Sequence, residues 1–295
     1  MLAGRLGLET ARIPHADRHG LLWLGRGNLM VQSGTLHFLA AGSPDLPPGD
    51  YQIPFQDVSI ILLGPGTTVS HDVLRLLARH GTGLVAVGED GVRLYSAPPL
   101  GPGDSALARR QALAWAAGSK ERIMIARRMY AWRLGEILPI KQDIAILRGM
   151  EGARMKETYK LLAQRYGIVW RGRFYDRQNP NDTDDPNQAI NHAATAVEAA
   201  ATIAVAVTGT IPSLGFIHED SSNAFCLDIA DLYRDAVTLP AAFQGVRDCQ
   251  QQPQIALERH VRRQCGRIFR RESIIPSMID RIKSLFDAQE EAKIP

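Results

Sequence analysis

A mostly apolar segment in the second half of the chain carries three carboxylates, at Asp228, Asp231 and Asp235. On a helix these positions fall at i, i+3 and i+7, so the three side chains would share one face. A helix this apolar is expected to be largely buried, and a buried carboxylate is costly unless it is paired with a cation or bound to a metal. The spacing therefore indicates either structural ion pairs or a metal site.

His218 precedes this segment and follows a short apolar run, so it could project from the end of an element toward the aspartates. Carboxylates with one imidazole suit a divalent metal of the Mg²⁺ or Mn²⁺ type. Zinc would more often recruit further His or Cys, and none lies at a ligand spacing here. Taken alone, a single histidine in such a place is usually a hydrogen-bonded core or edge residue.

Glu151 is a further candidate ligand, because Gly149 and Gly152 flank it and would allow close approach of another backbone or a ligand. From the residues alone the alternatives stay open. Glu151 could pair with Arg154 on a helix surface, and the aspartates could pair with Arg234 or Arg154 or lie on a solvated face.

A basic segment lies near the C-terminus, in IALERHVRRQCGRIFRR. Its arginines fall largely off the apolar stripe of the expected helix, and they are Arg259, Arg262, Arg263, Arg267, Arg270 and Arg271. Arginine binds phosphate through two parallel hydrogen bonds, so the segment predicts a phosphate-binding track. A solvated face or a contact with an acidic partner is the alternative. The run 120–133 is a weaker basic segment.

The elements that must position these residues fall into two parts, which predicts an α+β fold. Residues 1–97 contain short apolar runs separated by turn residues, typical of a mainly β domain. Residues 98–105, rich in Pro and Gly, read as a linker. Residues 106–295 place apolar residues at helical spacing, which predicts a larger all-helical domain.

The composition is that of an ordinary globular protein, with 45% hydrophobic and 22% charged residues in 295. Three cysteines without CxxC spacing fit a reducing compartment, and no signal-peptide pattern is present, so a cytoplasmic protein is expected. The most apolar stretch is broken by Gly209 and Pro212, which favours a buried helix over a membrane span. Net charge is +3, and residues 1–97 hold 7 basic and 8 acidic residues, so the positive excess lies wholly in the helical part.

Four separated motifs give the chain a specific resemblance over nearly its whole length. They are GPGTTVSHDVLRLLARHGTGLVAVGEDGVRLYSA, LRGMEGARMKETY, NQAINHAATA and GFIHEDSSNAFCLDIADLYR. Together they resemble the CRISPR-associated spacer-acquisition integrase and endonuclease family, in its Cascade-associated (type I-E-like) subtype. Relatives of that subtype carry an aromatic residue where this chain has Glu198, which puts a base-stacking role there in doubt.

The resemblance implies a homodimer. It also implies that a small ferredoxin-like partner bridges two such dimers into a heterohexamer. That complex captures short foreign double-stranded DNA and inserts it into a CRISPR array, using a DNA 3′-hydroxyl to attack a backbone phosphodiester. The implied Mg²⁺ or Mn²⁺ ligands are Glu151, His218 and Asp231, with Asp228 and His218 as catalytic groups. The implied DNA contacts are Arg75, Arg93 and the C-terminal arginine segment. The alternatives are a stand-alone metal-dependent nuclease acting on branched DNA and a non-catalytic DNA-binding scaffold.

Overall fold

The computed structural model describes residues 20–44, 46–96, 106–117, 119–135, 144–174 and 183–286. Among the described residues, strands and one helix occupy the part from residue 20 to residue 96, and helices follow from residue 106. The architecture is therefore α+β, as predicted. The proposed linker, 98–105, lies outside the described residues, so the exact domain boundary stays a prediction.

The β part consists of two four-stranded sheets. The strands are β1 (Gly20–Leu24), β2 (Gly27–Gln32), β3 (Thr35–Ala40), β4 (Gly49–Ile53), β5 (Val58–Leu63), β6 (Thr67–Val69), β7 (Gly83–Val87) and β8 (Leu94–Ser96). One sheet has the order β1-β5-β7-β8, parallel except for the last pair. The other has the order β4-β3-β2-β6, antiparallel except for its β2–β6 pair. The antiparallel pairs β2–β3 and β7–β8 each join strands that are consecutive in the chain.

Helix α1 (His71–His80) connects β6 to β7 and ends as its sequence predicts. Gly81 adopts a left-handed conformation with φ of 67°, and its N–H bonds the carbonyl of Ala78. Asp72 lies in the first turn, where a carboxylate offsets the positive helix end. Ser70 stands at the N-cap position, but its side chain makes no capping hydrogen bond.

The second part is helical. Its helices are α2 (Ala106–Ala116), α3 (Ser119–Leu134), α4 (Ile144–Tyr166), α5 (Asp185–Thr208), α6 (Ala224–Asp231), α7 (Leu239–Gln251), α8 (Leu257–Arg271) and α9 (Ile274–Leu285). Helix α5 is the central one, packed against α6, α7, α8 and α9. Asp184 caps it by accepting the N–H of Asn187, and Gly209 ends it with φ of 67°.

The composition of α5 explains its central place. Its many alanines let neighbouring helices approach closely, and most of its residues are buried. The helix is long and apolar enough to cross a membrane, but 56% of its most apolar window is buried inside the protein. It is therefore the core helix of this part of the fold.

The aspartate segment differs from the single regular helix that its spacing suggested. Helix α6 ends at Asp231, and residues Arg234–Thr238 form a π-helical turn before α7 begins at Leu239. Pro240 lies in the first turn of α7, where its missing N–H removes no intrahelical hydrogen bond. Asp235 lies in this turn, so it does not follow the regular register of Asp228 and Asp231.

Helix α8 also joins the helical part to the β part. It packs against the short turn Glu89–Gly91 between β7 and β8. Ion pairs link Arg93 to Glu258 and Arg270 to Asp90 across this contact. The face of α8 that lacks a side chain at Gly266 lies directly against Asp90.

Candidate metal centre and nucleic-acid interface

Glu151 lies on α4, where an arginine from the preceding helix meets it. Arg133, in the last turn of α3, donates from one guanidinium nitrogen to Oε1 of Glu151. The Arg133 side chain is only 6% exposed, so this charge is held almost entirely inside the protein. Glu151 is thus a half-buried carboxylate with a fixed cationic partner.

Asp231, at the end of α6, shares that partner. Its Oδ2 lies 3.4 Å from the other terminal nitrogen of Arg133, and its Oδ1 lies 3.1 Å from Arg234. The same Oδ2 faces Nε2 of His218 at 3.8 Å. Asp231 therefore links the Glu151 side of the site to the His218 side.

The loop that carries His218 is fastened to α6 by Asp228, which is completely buried. Its Oδ2 accepts the backbone N–H groups of Phe216 at 2.6 Å and Ile217 at 3.1 Å. Its Oδ1 accepts the backbone N–H of His218 at 2.9 Å and lies 2.8 Å from Nδ1 of the ring. Gly215 permits this close approach, since a side chain there would lie 2.7 Å from Ala224 Cβ.

The contact with Asp228 sets the chemistry of the histidine. Its hydrogen bond raises the pKa of His218, with a smaller contribution from the charge of Asp231, against the opposing effect of burial. Because Nδ1 is taken by Asp228, Nε2 is the ring nitrogen left to face Asp231. A carboxylate holding one ring nitrogen of a histidine is the usual arrangement around a metal-binding imidazole.

The electrostatics of the cluster favour an additional cation. Burial raises the pKa of Glu151, and the nearby charges of Asp231 and Asp235 act in the same direction, while Arg133 opposes them. The group contains four carboxylates, including Asp228, against the two guanidiniums of Arg133 and Arg234. The surplus negative charge suits a divalent ion.

The donor types fit Mg²⁺ or Mn²⁺, but the side chains do not form a closed ligand shell. Among the residues that the structure describes, no three His, Cys, Asp or Glu side chains lie close enough together to hold a metal ion. The guanidinium of Arg133 stands between Glu151 and Asp231, in contact with both. The convergence of Glu151, His218 and Asp231 on one ion thus remains a prediction.

The contacts decide two of the ion-pair alternatives, the pairing of Glu151 with Arg154 and that of an aspartate with Arg234. Arg154 bonds the carbonyl of Leu134 and not Glu151, while Arg234 does pair with Asp231. Ion pairing was an alternative for all three aspartates, but Asp235 has no ion pair within the described part of the chain. One of its carboxylate oxygens is buried without a hydrogen-bond partner.

The arginines of α8 divide into two groups. Arg270 pairs with Asp90 and Arg271 with Glu272, so both are partly neutralised. The other four are Arg259, Arg262, Arg263 and Arg267. Of these, Arg259, Arg263 and Arg267 are exposed at four-residue spacing on one helix face, and the described residues give them no ion pair. Arg262 is half-buried. Burial lowers the pKa of His192, and the positive charges of Arg93 and Arg262 lower it further.

The two candidate DNA-contacting residues in the β part each form an ion pair within the protein. Arg75 is exposed on α1 and lies 2.9 Å from Asp72. Arg93 pairs with Glu258 of α8, and so contributes to the contact between the two parts of the chain. Their role in DNA binding stays a prediction.

Arg133 was missed as a site residue. The only sequence signal was its place in the basic run 120–133, which contains a single acidic residue, Glu121, to balance it.

Glu198 is also better defined by the structure: burial raises its pKa, and Asn223 donates to its carboxylate. Glu198 thus supports the loop before α6.

Comparison with known proteins gives a consistent result. The family described as CRISPR associated protein Cas1 matches residues 133–255, a span that includes Glu151, His218, Asp228 and Asp231. The chain is 35% identical to the CRISPR-associated endonuclease Cas1 of Escherichia coli, over 94% of this chain and 88% of that protein. It is 34% identical to the protein of the same name from Geobacter sulfurreducens, over 94% and 87%.

Solved structures agree with these sequence matches. The crystal structure of a TtCas1–DNA complex superimposes with a TM-score of 0.80 at 30% identity, covering 92% of this chain and 98% of that one. A casposase bound to an integration product superimposes with a TM-score of 0.60 at 15% identity, covering 90% and 95%. The second likeness is one of fold alone.

Proposed function

This chain belongs to the Cas1 family of CRISPR-associated proteins, and we propose that it is a divalent-metal-dependent DNA endonuclease and integrase. Its reaction would insert short foreign DNA into a CRISPR array by attack of a DNA 3′-hydroxyl on a backbone phosphodiester. Curated relatives are named CRISPR-associated endonucleases, which supports a nuclease. The observation that carries the proposal is the chain of contacts that runs from Glu151 through Arg133 to Asp231 and on to His218, which come from separate elements.

In this proposal Glu151, Asp231 and Nε2 of His218 would hold the Mg²⁺ or Mn²⁺ ion. When bound, the ion would polarise the scissile phosphate and stabilise charge on the leaving oxygen. Asp228 acts through His218, since it fixes the ring and the backbone around it without facing the open side of the site. We therefore assign Asp228 a positioning role, in place of the catalytic role that the resemblance implied.

The binding surface for the DNA backbone would be the exposed face of α8 that carries Arg259, Arg263 and Arg267. Three guanidiniums spaced one helical turn apart, with no acidic partner among the described residues, suit successive phosphates. A structural relative was solved as a DNA complex, which supports DNA as the partner of this chain. Arg262, Arg75 and Arg93 remain secondary candidates.

The assembly proposed for this chain is a homodimer, two of which join a small ferredoxin-like CRISPR-associated protein in a heterohexamer. The Cascade-associated subtype and a cytoplasmic location are part of the same proposal. Membership of the family and the likeness to the Escherichia coli relative support it.

An assay with a short duplex and a plasmid carrying a CRISPR array tests the reaction, run with and without the small partner. The wild-type protein should yield joined products that need Mg²⁺ or Mn²⁺ and disappear with EDTA. Cut products alone would favour a stand-alone nuclease. DNA binding without any covalent product would favour a non-catalytic scaffold.

Variants assign the residues. His218→Ala and Asp231→Ala should abolish strand joining while much of the DNA affinity is kept, because the phosphate contacts lie elsewhere. Asp280→Ala, which removes an exposed aspartate on α9, is the matched control and should join strands normally. Strand joining at the wild-type rate by either site variant would overturn the assignment.

A further inference from the structure

Arg133 holds the position in which a cation would have to satisfy Glu151 and Asp231 together. One of its terminal nitrogens contacts Oε1 of Glu151, and the other lies 3.4 Å from Oδ2 of Asp231. That Oδ2 is also the atom that faces Nε2 of His218 at 3.8 Å. The guanidinium therefore uses the oxygen lone pairs that the proposed ligands would offer to a metal.

The burial of Arg133 shows that this contact is not a surface ion pair. Its side chain is 6% exposed, and those of Glu151 and Asp231 are 19% exposed. Two carboxylates facing one another in such a place would repel, and burial would favour the uncharged form of one of them. Arg133 contacts both carboxylates and so offsets their repulsion and holds them close together.

We propose that Arg133 is a resident counter-cation that competes with the divalent metal and leaves the two carboxylates when the metal binds. This inference rests on the proposed metal-dependent function. Both cations need the same carboxylate oxygens, and like charges at this separation repel strongly where water is largely excluded. Metal affinity is therefore set in part by the cost of displacing the guanidinium, and the ligands stay assembled when no metal is present.

Arg234 provides a matched contrast. It also pairs with Asp231, but through Oδ1, at 3.1 Å. One carboxylate oxygen can bind a metal while the other keeps its arginine partner, as commonly occurs around metal ligands. Removal of Arg234 should not free a metal-binding oxygen, whereas removal of Arg133 should.

The test measures binding of Mn²⁺ alone to the full chain, through the loss of the electron paramagnetic resonance signal of the free ion. Arg133→Met should bind Mn²⁺ about tenfold more tightly than wild type, within the usual range for coupling between two binding events. Arg234→Met should bind with unchanged or weaker affinity. Adding Glu151→Gln to the wild type and to Arg133→Met should weaken binding in both, which ties the signal to this site.

A second readout is the melting temperature in EDTA and in Mn²⁺. Arg133→Met should melt below wild type in EDTA and gain more from Mn²⁺ than wild type does, because it lacks the resident cation. If Arg133→Met does not fold, Arg133→Lys takes its place. Its single ammonium cannot bond both carboxylates in the forked geometry of arginine, so it should also bind Mn²⁺ more tightly than wild type.

The outcomes distinguish failure of the proposed metal site from failure of the proposed competition by Arg133. Mn²⁺ binding to wild type with equal or weaker binding to the Arg133 variant overturns the competition and leaves the metal site standing. Absence of Mn²⁺ binding in both proteins overturns the metal site and the competition together. Tighter Mn²⁺ binding by the Arg133 variant, but not by the Arg234 variant, supports both the metal site and the competition.

Discussion

The ring of His218 and the carboxylate of Asp228 are joined at 2.8 Å, and the same carboxylate accepts three backbone N–H groups of the loop that carries the ring. Asp228 is fully buried on α6. A single side chain thus fixes both the direction of the imidazole and the path of the backbone that presents it. Its loss should be felt in stability as well as in activity.

Asp228→Asn should lower the free energy of unfolding by about 2–4 kcal/mol, since the amide cannot accept all four bonds and leaves buried donors unpaired. Asp231→Asn should cost clearly less, because Asp231 is partly exposed and Arg133 keeps Glu151 as a partner. Urea denaturation of both variants and wild type measures this. Equal losses for the two variants would contradict the positioning role of Asp228.

The interaction of His218 should also make stability depend on pH. Its hydrogen bond with Asp228 raises the folded-state pKa above the ordinary value of 6.5. The stabilisation is then fully present below about pH 6.5 and is lost as the pH rises through the folded-state pKa. In urea titrations, the difference between wild type and His218→Gln should shrink from pH 6 to pH 8.5; growth of that difference with pH would contradict the shift.

The arginine face of α8 should contribute to DNA affinity without sequence preference. Each phosphate contact releases counterions, so the logarithm of affinity falls with the logarithm of salt by about 0.9 per contact on duplex DNA. The double variant Arg259→Gln, Arg263→Gln should weaken binding to all sequences and reduce this slope by up to about two contacts' worth. Fluorescence anisotropy at several salt concentrations gives the slope.

Arg165→Gln is the control for that measurement, since Arg165 is exposed on α4 and outside the arginine face. It should leave the slope unchanged. An unchanged slope in the double variant would instead mark the α8 face as solvated or as a protein contact. The phosphate contacts would then have to lie in the run 120–133 or at Arg75 and Arg93.

The contact between α8 and the β part depends on Gly266. A Cβ at this position would lie 2.5 Å from Oδ2 of Asp90 and 2.6 Å from its Cβ. Gly266→Ala should therefore destabilise the protein by about 1–3 kcal/mol, the usual cost of overpacking. Thermal or urea unfolding measures the loss. If the variant is as stable as wild type, the turn at Asp90 can move to accommodate the added methyl group at little cost.

Gly149→Ala is the matched substitution. Gly149 lies inside α4, and nothing stands within 4 Å of the added Cβ. Alanine should stabilise the free protein by about 0.5–1 kcal/mol, because it loses less conformational entropy in a helix than glycine does. A loss of stability would show that some part of the chain approaches Gly149 more closely than the structure shows.

The three cysteines should differ sharply in reactivity. Burial raises the pKa of Cys226 to about 11 and that of Cys265 to about 12, and both side chains are inaccessible. Cys249 is partly exposed, with a smaller increase in its pKa. An Ellman titration at pH 8 should detect one thiol in the native protein, three in urea, and none in native Cys249→Ser; rapid labelling of three native thiols would contradict this.

The sequence by itself determined the fold class and the order of its two parts, strands first and helices second. Alternating apolar runs and turn residues predicted the strands of the β part, and Gly81 and Gly209 end α1 and α5 because their left-handed conformations suit glycine. Four motifs also identified the family. Each of these features depends on a short continuous stretch of sequence, so no knowledge of distant contacts was needed.

Only the tertiary structure decided how the carboxylates are satisfied. Glu151 and Asp231 are 80 positions apart, and both contact Arg133, a residue from a third element that spacing could not associate with them. The end of α6 and the π-helical turn that follows take Asp235 out of the expected register, and Asp228 is buried as the acceptor for a loop. A charge is paired, shared or left free according to what packing places beside it, and packing between separate helices is not encoded in the spacing along any one of them.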